Sequence, residues 1–370
     1  MNTARNEWLV TAALLVIAVS FYFAPALFAG KVVWTANTVN WYPWKATATR
    51  AEFATPSFTP DFSISYYPRR VVLSEAWRTK TWPLWNPYSF CGAPFLADIQ
   101  TAVFYPVNWL LVGLEPIRQF PPFLSVHFII GGLGLFFLLR VLGVAGIPAA
   151  GAALAFAFNE YFFKKIGLPT FLATAAWAPW AIACAYRVAR APSAGWVAAT
   201  ALVWGVTFLA GQPQTVIQIA YVTMILLAVD FLTRRFGRSR RAGQDATSDA
   251  VDRGITPRGV GALFTAAALT ALLVSVQLLP TAELAGRSAR ASLSYETMLS
   301  GSFHPVEWIR IAIPDFLGTP VTKDGWSNLF SRGNDHFLRI AFSAISAGTP
   351  VAILALWSLF VPGIRRRVLP

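Results

Sequence analysis

The chain has 370 residues, of which 56% are hydrophobic and only 13% charged, with a mean hydropathy of +0.52. A soluble globular domain carries about 25% charged residues, so the composition excludes one and indicates a polytopic membrane protein. The net charge of +13 does not imply nucleic acid, because the Lys and Arg residues sit in short segments beside apolar runs, as topology signals do.

Apolar runs that approach or exceed the length needed to cross about 30 Å of hydrocarbon recur at 8–28, 120–142, 147–163, 168–186, 196–210, 213–232, 260–279 and 337–361. They predict an all-α polytopic membrane protein of about eight transmembrane helices, with 1–370 forming a single membrane domain; the third and fifth runs are the shortest. The first follows Arg5 and contains Ala24-Pro25-Ala26, which has the look of a signal-peptide cleavage site. Its apolar run of about 20 residues exceeds the roughly 7–15 of a signal peptide, so it reads as an uncleaved span. A cytoplasmic N-terminus puts Arg5, Arg140, Arg187, Arg190, the cluster from Arg234 to Arg241 and Arg365 to Arg367 all inside, with both termini cytoplasmic. Lys164 and Lys165 are the exception, outside in a short hairpin. Two large external loops result, at 30–119 and 280–335, each expected to carry short interfacial helices. The polar, Arg-rich segment 233–258 reads as a flexible cytoplasmic linker near anionic headgroups.

The first loop holds the densest information. Residues 82–106, WPLWNPYSFCGAPFLADIQTAVFYP, combine Trp, Tyr and Pro between apolar segments, as in a compact loop whose rings sit at a membrane interface. The next apolar piece, 107–114, is too short to span and suits an interfacial or re-entrant helix. Upstream, Asp61 precedes Arg69 and Arg70. A carboxylate beside two arginines can act as a base while the guanidinium groups hold a phosphate; the alternative is a surface acid in a weak ion pair. Asp98 is either a second acid or metal ligand, or the N-cap of the interfacial helix.

Later in the chain, Ala210-Gly211-Gln212-Pro213-Gln214 breaks an apolar run at the outer face; Gly and Pro make the turn, and Gln212 and Gln214 offer amides to a sugar. Arg287 and Arg290, three apart, share a face near headgroup depth if the seventh helix continues. Alternatively they are ordinary residues flanking a span. His127 and Glu160 are ionisable groups in apolar runs, functional suspects by position, although a lone His there more often packs. Cys91 lies in the aromatic loop and Cys184 in an apolar run, so neither a disulfide framework nor a zinc site is expected. Nucleotide-binding, metalloprotease and serine-hydrolase signatures are lacking.

Several of these stretches carry a family resemblance. They are Asp61; Pro83-Leu84-Trp85-Asn86-Pro87-Tyr88; Gly92-Ala93-Pro94-Phe95; the run from Asp98 through Gln100 to Pro106; Ala176-Trp177-Ala178-Pro179; Gly211-Gln212-Pro213-Gln214; and Pro280 with Glu283. Gly301-Ser302, Pro305, Pro314 and Gly318 lie downstream. Together, over about 8–350, the chain resembles the YfhO-type family of bacterial membrane proteins, within the C-type glycosyltransferases. The resemblance implies an enzyme of the cytoplasmic membrane that moves a sugar from a polyprenyl-phosphate donor to an envelope glycan or teichoic-acid-type acceptor at the outer face. By position, the loop acid acting as base or metal ligand is Asp61, with Asp98 second.

Residue chemistry then assigns donor phosphate to Arg69, Arg70, Arg287 and Arg290, and sugar or acceptor to Trp85, Asn86, Tyr88, Gln100, Gln212 and Gln214. No cofactor is required, since arginines already hold the leaving phosphate; a divalent metal is compatible but not indicated. The expected partners are the lipid donor, the glycan acceptor and the bilayer. Family members are usually much longer, which keeps a non-catalytic scaffold or fragment as an alternative, alongside a flippase for lipid-linked glycans.

Overall fold

The computed structural model describes residues 2–35, 61–241, 254–288 and 294–295. The apolar run at 337–361, Arg290, most of the second loop and part of the first lie outside the described residues.

The described chain is predominantly helical and membrane-embedded. Among the described residues four helices are long and apolar enough to cross a bilayer: Arg5–Leu27, Pro116–Val141, Pro213–Arg234 and Pro257–Gly286. They coincide with the first, second, sixth and seventh apolar runs. In chain order they belong to α1 (Asn2–Leu27), α4 (Phe120–Val141), α9 (Pro213–Arg241) and α10 (Pro257–Gly286).

The other runs behave differently. The third is not one helix: α5 (Gly146–Ala157) stops, and Asn159 caps a separate short α6 (Glu160–Lys164) by accepting from the Phe162 N–H at 2.9 Å. At 12 residues α5 rises only about 18 Å. The Asn side chain competes for the backbone there, which an apolar count does not register. The fourth run forms α7 (Pro169–Arg190), long enough to span but enclosed by its neighbours around most of its circumference, where Ala173, Ala176, Ala181, Ala183, Ala185 and Ala189 are all buried. The fifth is α8 (Ala194–Leu209), of 16 residues.

Helices α4 and α7 pack on each other at the centre, with α1 and α5 against α4, and α8, α9 and α10 against α7. Three glycines make α4 approachable on several sides. A Cβ at Gly132 would lie 2.6 Å from Leu15 of α1 and 3.2 Å from the Ala153 carbonyl of α5. At Gly131 it would meet Phe162 of α6 at 2.8 Å, and at Gly134 the Trp180 ring of α7 at 2.5 Å. Small residues are how helices come close where water provides no driving force between them.

Over the heads of α4 and α7 sits the folded part of the first loop. A π-helical turn (Phe62–Tyr66) runs into α2 (Tyr67–Thr79); a two-residue hairpin pairs β1 (Trp85–Asn86) with β2 (Ala93–Pro94), Trp85 opposite Pro94. A 3-10 turn (Ile99–Thr101), α3 (Pro106–Leu111) and a second 3-10 turn (Pro116–Gln119) lead into α4. Two apolar clusters anchor it: Phe62 and Tyr66 on Phe120 and Leu168, and Leu73 with Phe95, Val103 and Val112.

Gly134→Val should destabilise the protein by about 1–3 kcal/mol, because the added side chain must displace the Trp180 ring and its hydrogen bond to the Ile130 carbonyl at 2.8 Å. A lowered thermal midpoint in detergent is the expected outcome; an unchanged midpoint would show that α4 and α7 are not in close contact there.

Candidate active site

Helical spacing gathers the site. Tyr66, Arg69 and Arg70 stand at i, i+3 and i+4, so they share a face, and that face looks onto the 3-10 turn at Ile99–Thr101 and the first turns of α4 and α7. The Arg69 Nη2 donates to Asp98 Oδ2 at 2.5 Å and its Nη1 to Gln100 Oε1 at 3.3 Å. Gln100 Nε2 in turn donates to Gln212 Oε1 at 3.5 Å. Gln212 is buried because Gly211, at φ +99°, lets its turn press onto the loop, where a Cβ would come within 2.9 Å of the Ile99 carbonyl. Residues remote in sequence are thus joined in one polar chain.

Asp98 serves twice. Its Oδ1 accepts from the Gln100 N–H at 3.0 Å, capping the 3-10 turn, while Oδ2 binds Arg69. The cap is on that turn and not on the interfacial helix, whose N-cap is Tyr105. Asp61 is not beside the arginines: it stands at the head of the π-helical turn, half-buried, with neither ion pair nor side-chain cap among the described residues. Its charge is nonetheless felt at the Tyr66 hydroxyl, as are those of Arg69 and Asp98.

Tyr66 is a member that sequence reasoning missed. Its hydroxyl lies 3.0 Å from Thr170 Oγ1 at the start of α7, and burial pushes its pKa up to about 12. Its position three residues before Arg69 was the available signal; nothing local marks Thr170.

Arg70 is the anomaly. It is 7% exposed, and its guanidinium lies 4.7 Å from the Phe123 ring centroid and 5.7 Å from Phe120. Burial lowers its pKa to about 10, and Nη1 has no hydrogen-bond partner. Among the described residues no carboxylate pairs with it. Beside it, a cavity of about 20 Å³ is lined by Tyr66, Arg69, Arg70, Gln100, Asn108 and Thr170, among others. That is room for about one water. Asn108 donates to the Ala102 carbonyl at 2.8 Å but leaves its own Oδ1 unpartnered.

The remaining candidates lie apart from this cluster. Asn86 holds the hairpin turn, donating to Ser89 Oγ at 2.9 Å and accepting from the Tyr88 N–H at 3.0 Å; Trp85 covers Gly92, and Tyr88 is 83% exposed. Gln214 is exposed on α9. Helix α10 ends at Gly286, so Arg287 is its cap residue and pairs with Glu283 at 2.8 Å, without a continuing helical face to share with Arg290.

His127 is fully buried and satisfied. The Tyr105 hydroxyl lies 2.5 Å from its Nε2, its Nδ1 lies 2.5 Å from the Phe123 carbonyl, and Trp177 Nε1 donates to Tyr105 Oη at 2.8 Å. This is packing by hydrogen bonds. Glu160 pairs with Lys164, and the adjacent Lys165 is buried against the Tyr161 and Phe171 rings. Among the described residues no three His, Cys, Asp or Glu side chains converge as metal ligands would.

Comparison of the chain with protein-family models, with curated proteins and with solved structures finds no match.

A buried cation without a counter-charge lowers stability. Arg70→Met, apolar and of similar length, should therefore fold and gain about 1 kcal/mol or more, read as a raised thermal midpoint in detergent. A large fall would show that the cation–π contacts with Phe120 and Phe123 make Arg70 a net stabiliser.

Proposed function

We propose that the chain is a membrane glycosyltransferase of the C type, akin to the YfhO-type family, which moves a sugar from a polyprenyl-phosphate donor to an envelope glycan at the outer face of a bacterial cytoplasmic membrane. In this reading the first loop is external, both termini are cytoplasmic, and α5 continued by α6, then α7, α8 and the run at 337–361, complete eight spans.

Arg70 is the observation that supports it. A cation kept buried without a counter-ion, next to Arg69 and above apolar helices, suits a site whose anion arrives with its substrate. The neighbouring cavity is too small for phosphate, so the donor phosphate meets Arg69 at the rim and Arg70 acts from beneath through low-dielectric surroundings. The donor's polyprenyl tail lies in lipid beside the helices. Asp61, half-buried and free of ion pairs among the described residues, takes the proton of the acceptor hydroxyl. That oxygen bonds to the anomeric carbon while the C–O bond to phosphate breaks, its electron pair leaving on the lipid phosphate, where the arginines stabilise the charge. Asp98 holds Arg69 in place, and Gln100 and Gln212 offer the amides that orient polar groups at the rim.

With protein in nanodiscs and a radiolabelled polyprenyl-phosphate sugar, Asp61→Asn should lower transfer by about 10²–10⁴-fold while membrane insertion and thermal midpoint stay as in wild type. Arg70→Met should lower turnover despite its retained fold. Wild-type transfer by Asp61→Asn would remove Asp61 as the base, and donor crossing between leaflets without being consumed would replace the transferase with a flippase.

A further inference from the structure

A second feature lies on the same helix, beyond the candidate active site. Where α2 ends, an open groove of about 810 Å³ runs between its last turns and the segment after α3. That volume is in the range of ordinary ligand sites. Its walls carry Trp77, Trp82 and Trp109, with Arg78, Lys80 and Glu115 along the edge. Trp77 is 52% exposed and Trp82 64%. The rings of Trp77 and Trp109 are 5.3 Å apart but tilted by 58°, so neither covers the other's face.

Charge in the groove is unevenly compensated. Arg78 pairs with Glu75, and Glu115 with Arg118 at 3.6 Å. Lys80 has no ion pair among the described residues. It also adopts the left-handed conformation, φ 55°, as the C-cap of α2, a place usually given to glycine. The left-handed backbone lets its N–H cap the Ala76 and Trp77 carbonyls and end the helix, which leaves the exposed ammonium group at the rim of the aromatic groove.

We propose that this groove binds an acidic glycan chain. Indole faces pack on the C–H faces of sugar rings, as they do on other flat, weakly polar surfaces, and Lys80 supplies the counter-charge for a carboxylate or phosphate carried by the chain. A bilayer surface is the rival occupant of exposed tryptophans. It is disfavoured because these rings line a concavity whose walls also bring Ser74 and Thr81, whereas lipid contact calls for a convex apolar face. Trp77 lies eight residues beyond Arg69 on α2, roughly 12 Å along the axis. The groove and the Arg69 cluster thus lie on the same helix, lined by separate residues. That the glycan is the acceptor rests on the transferase reading; that it binds does not.

Isothermal titration of the full chain in zwitterionic nanodiscs with an oligogalacturonate hexamer, and with uncharged maltohexaose, tests this. Binding of the acidic hexamer should exceed that of the neutral one several-fold. Lys80→Gly keeps the left-handed cap while deleting the charge, and should abolish the difference; Trp82→Ala should weaken both by roughly tenfold. Absence of binding by either hexamer overturns the proposal, as does equal binding of the two unaffected by Lys80→Gly. Quenching of Trp82 by brominated lipid that neither glycan relieves would assign the groove to the bilayer and overturn it likewise. Asp61→Asn separates the two readings: it should bind the hexamer as wild type does. Loss of transfer with binding intact leaves the groove standing, and transfer without binding removes the groove alone.

Discussion

Irregular backbone packed among apolar helices has to find donors for its carbonyl groups, because neither lipid nor the backbone of a neighbouring helix supplies them. The first loop meets this requirement with side chains. Gln277 and Thr281, from the upper part of α10, donate to the Leu96 and Ala97 carbonyls at 2.8 and 2.9 Å. Asn108 donates to Ala102, and Gln119 to Leu114 at 3.0 Å. Those bonds fix the segment that carries Asp98 and Gln100, so the position of Arg69 depends on a glutamine far along the chain, at a sequence separation of 181 between Leu96 and Gln277.

The same requirement explains which parts of the molecule were legible in the sequence. Length and apolarity found α1, α4, α9 and α10, because a continuous helix satisfies its own backbone and leaves composition as the signal. They did not separate α5 from α6, where Asn159 diverts one N–H, nor mark α7 as the enclosed centre, which results from small alanines around most of its circumference meeting several neighbours at once. The candidate site was half legible. Arg69, Asp98, Gln100 and Gln212 stood out as polar residues in apolar surroundings, but the pairing of Arg69 with Asp98 and the distance of Asp61 from both arginines depend on how the loop folds. Tyr66, Thr170 and Asn108 are common residue types in common settings; only their convergence on one small cavity distinguishes them.

Ion pairs lock both ends of the helices. Toward the arginine-rich end Arg140 pairs with Glu7 at 3.2 Å, and Asp230 accepts from Arg234 at 2.9 Å and from the Tyr186 hydroxyl at 2.9 Å; at the loop end Arg69 pairs with Asp98, and Lys164 with Glu160. Such locks stabilise helix ends without needing a ligand. At the loop end Arg70 has no carboxylate and Asp61 no cation among the described residues. What sets Arg70 apart is burial: it is 7% exposed with an unpartnered Nη1, whereas Arg187 and Arg258, which also lack ion pairs among the described residues, are exposed.

The π-helical turn decides how Asp61 and Arg69 face each other. In an uninterrupted α-helix, residues eight apart differ by about 80° around the axis, which would turn Asp61 away from the face that Arg69 presents. A π turn takes in an extra residue and rotates the downstream helix by roughly one residue step, about 100°. The two offsets nearly cancel, so Asp61 and Arg69 project along the same side of the helix with an axial gap of about 10–12 Å. That gap is too wide for an ion pair, in keeping with Arg69 taking Asp98 instead. The buried Phe62 and Tyr66 of the turn, packed on Phe120 and Leu168, hold that register. The irregular turn thus sets the spacing between the Asp61 carboxylate and the Arg69 guanidinium.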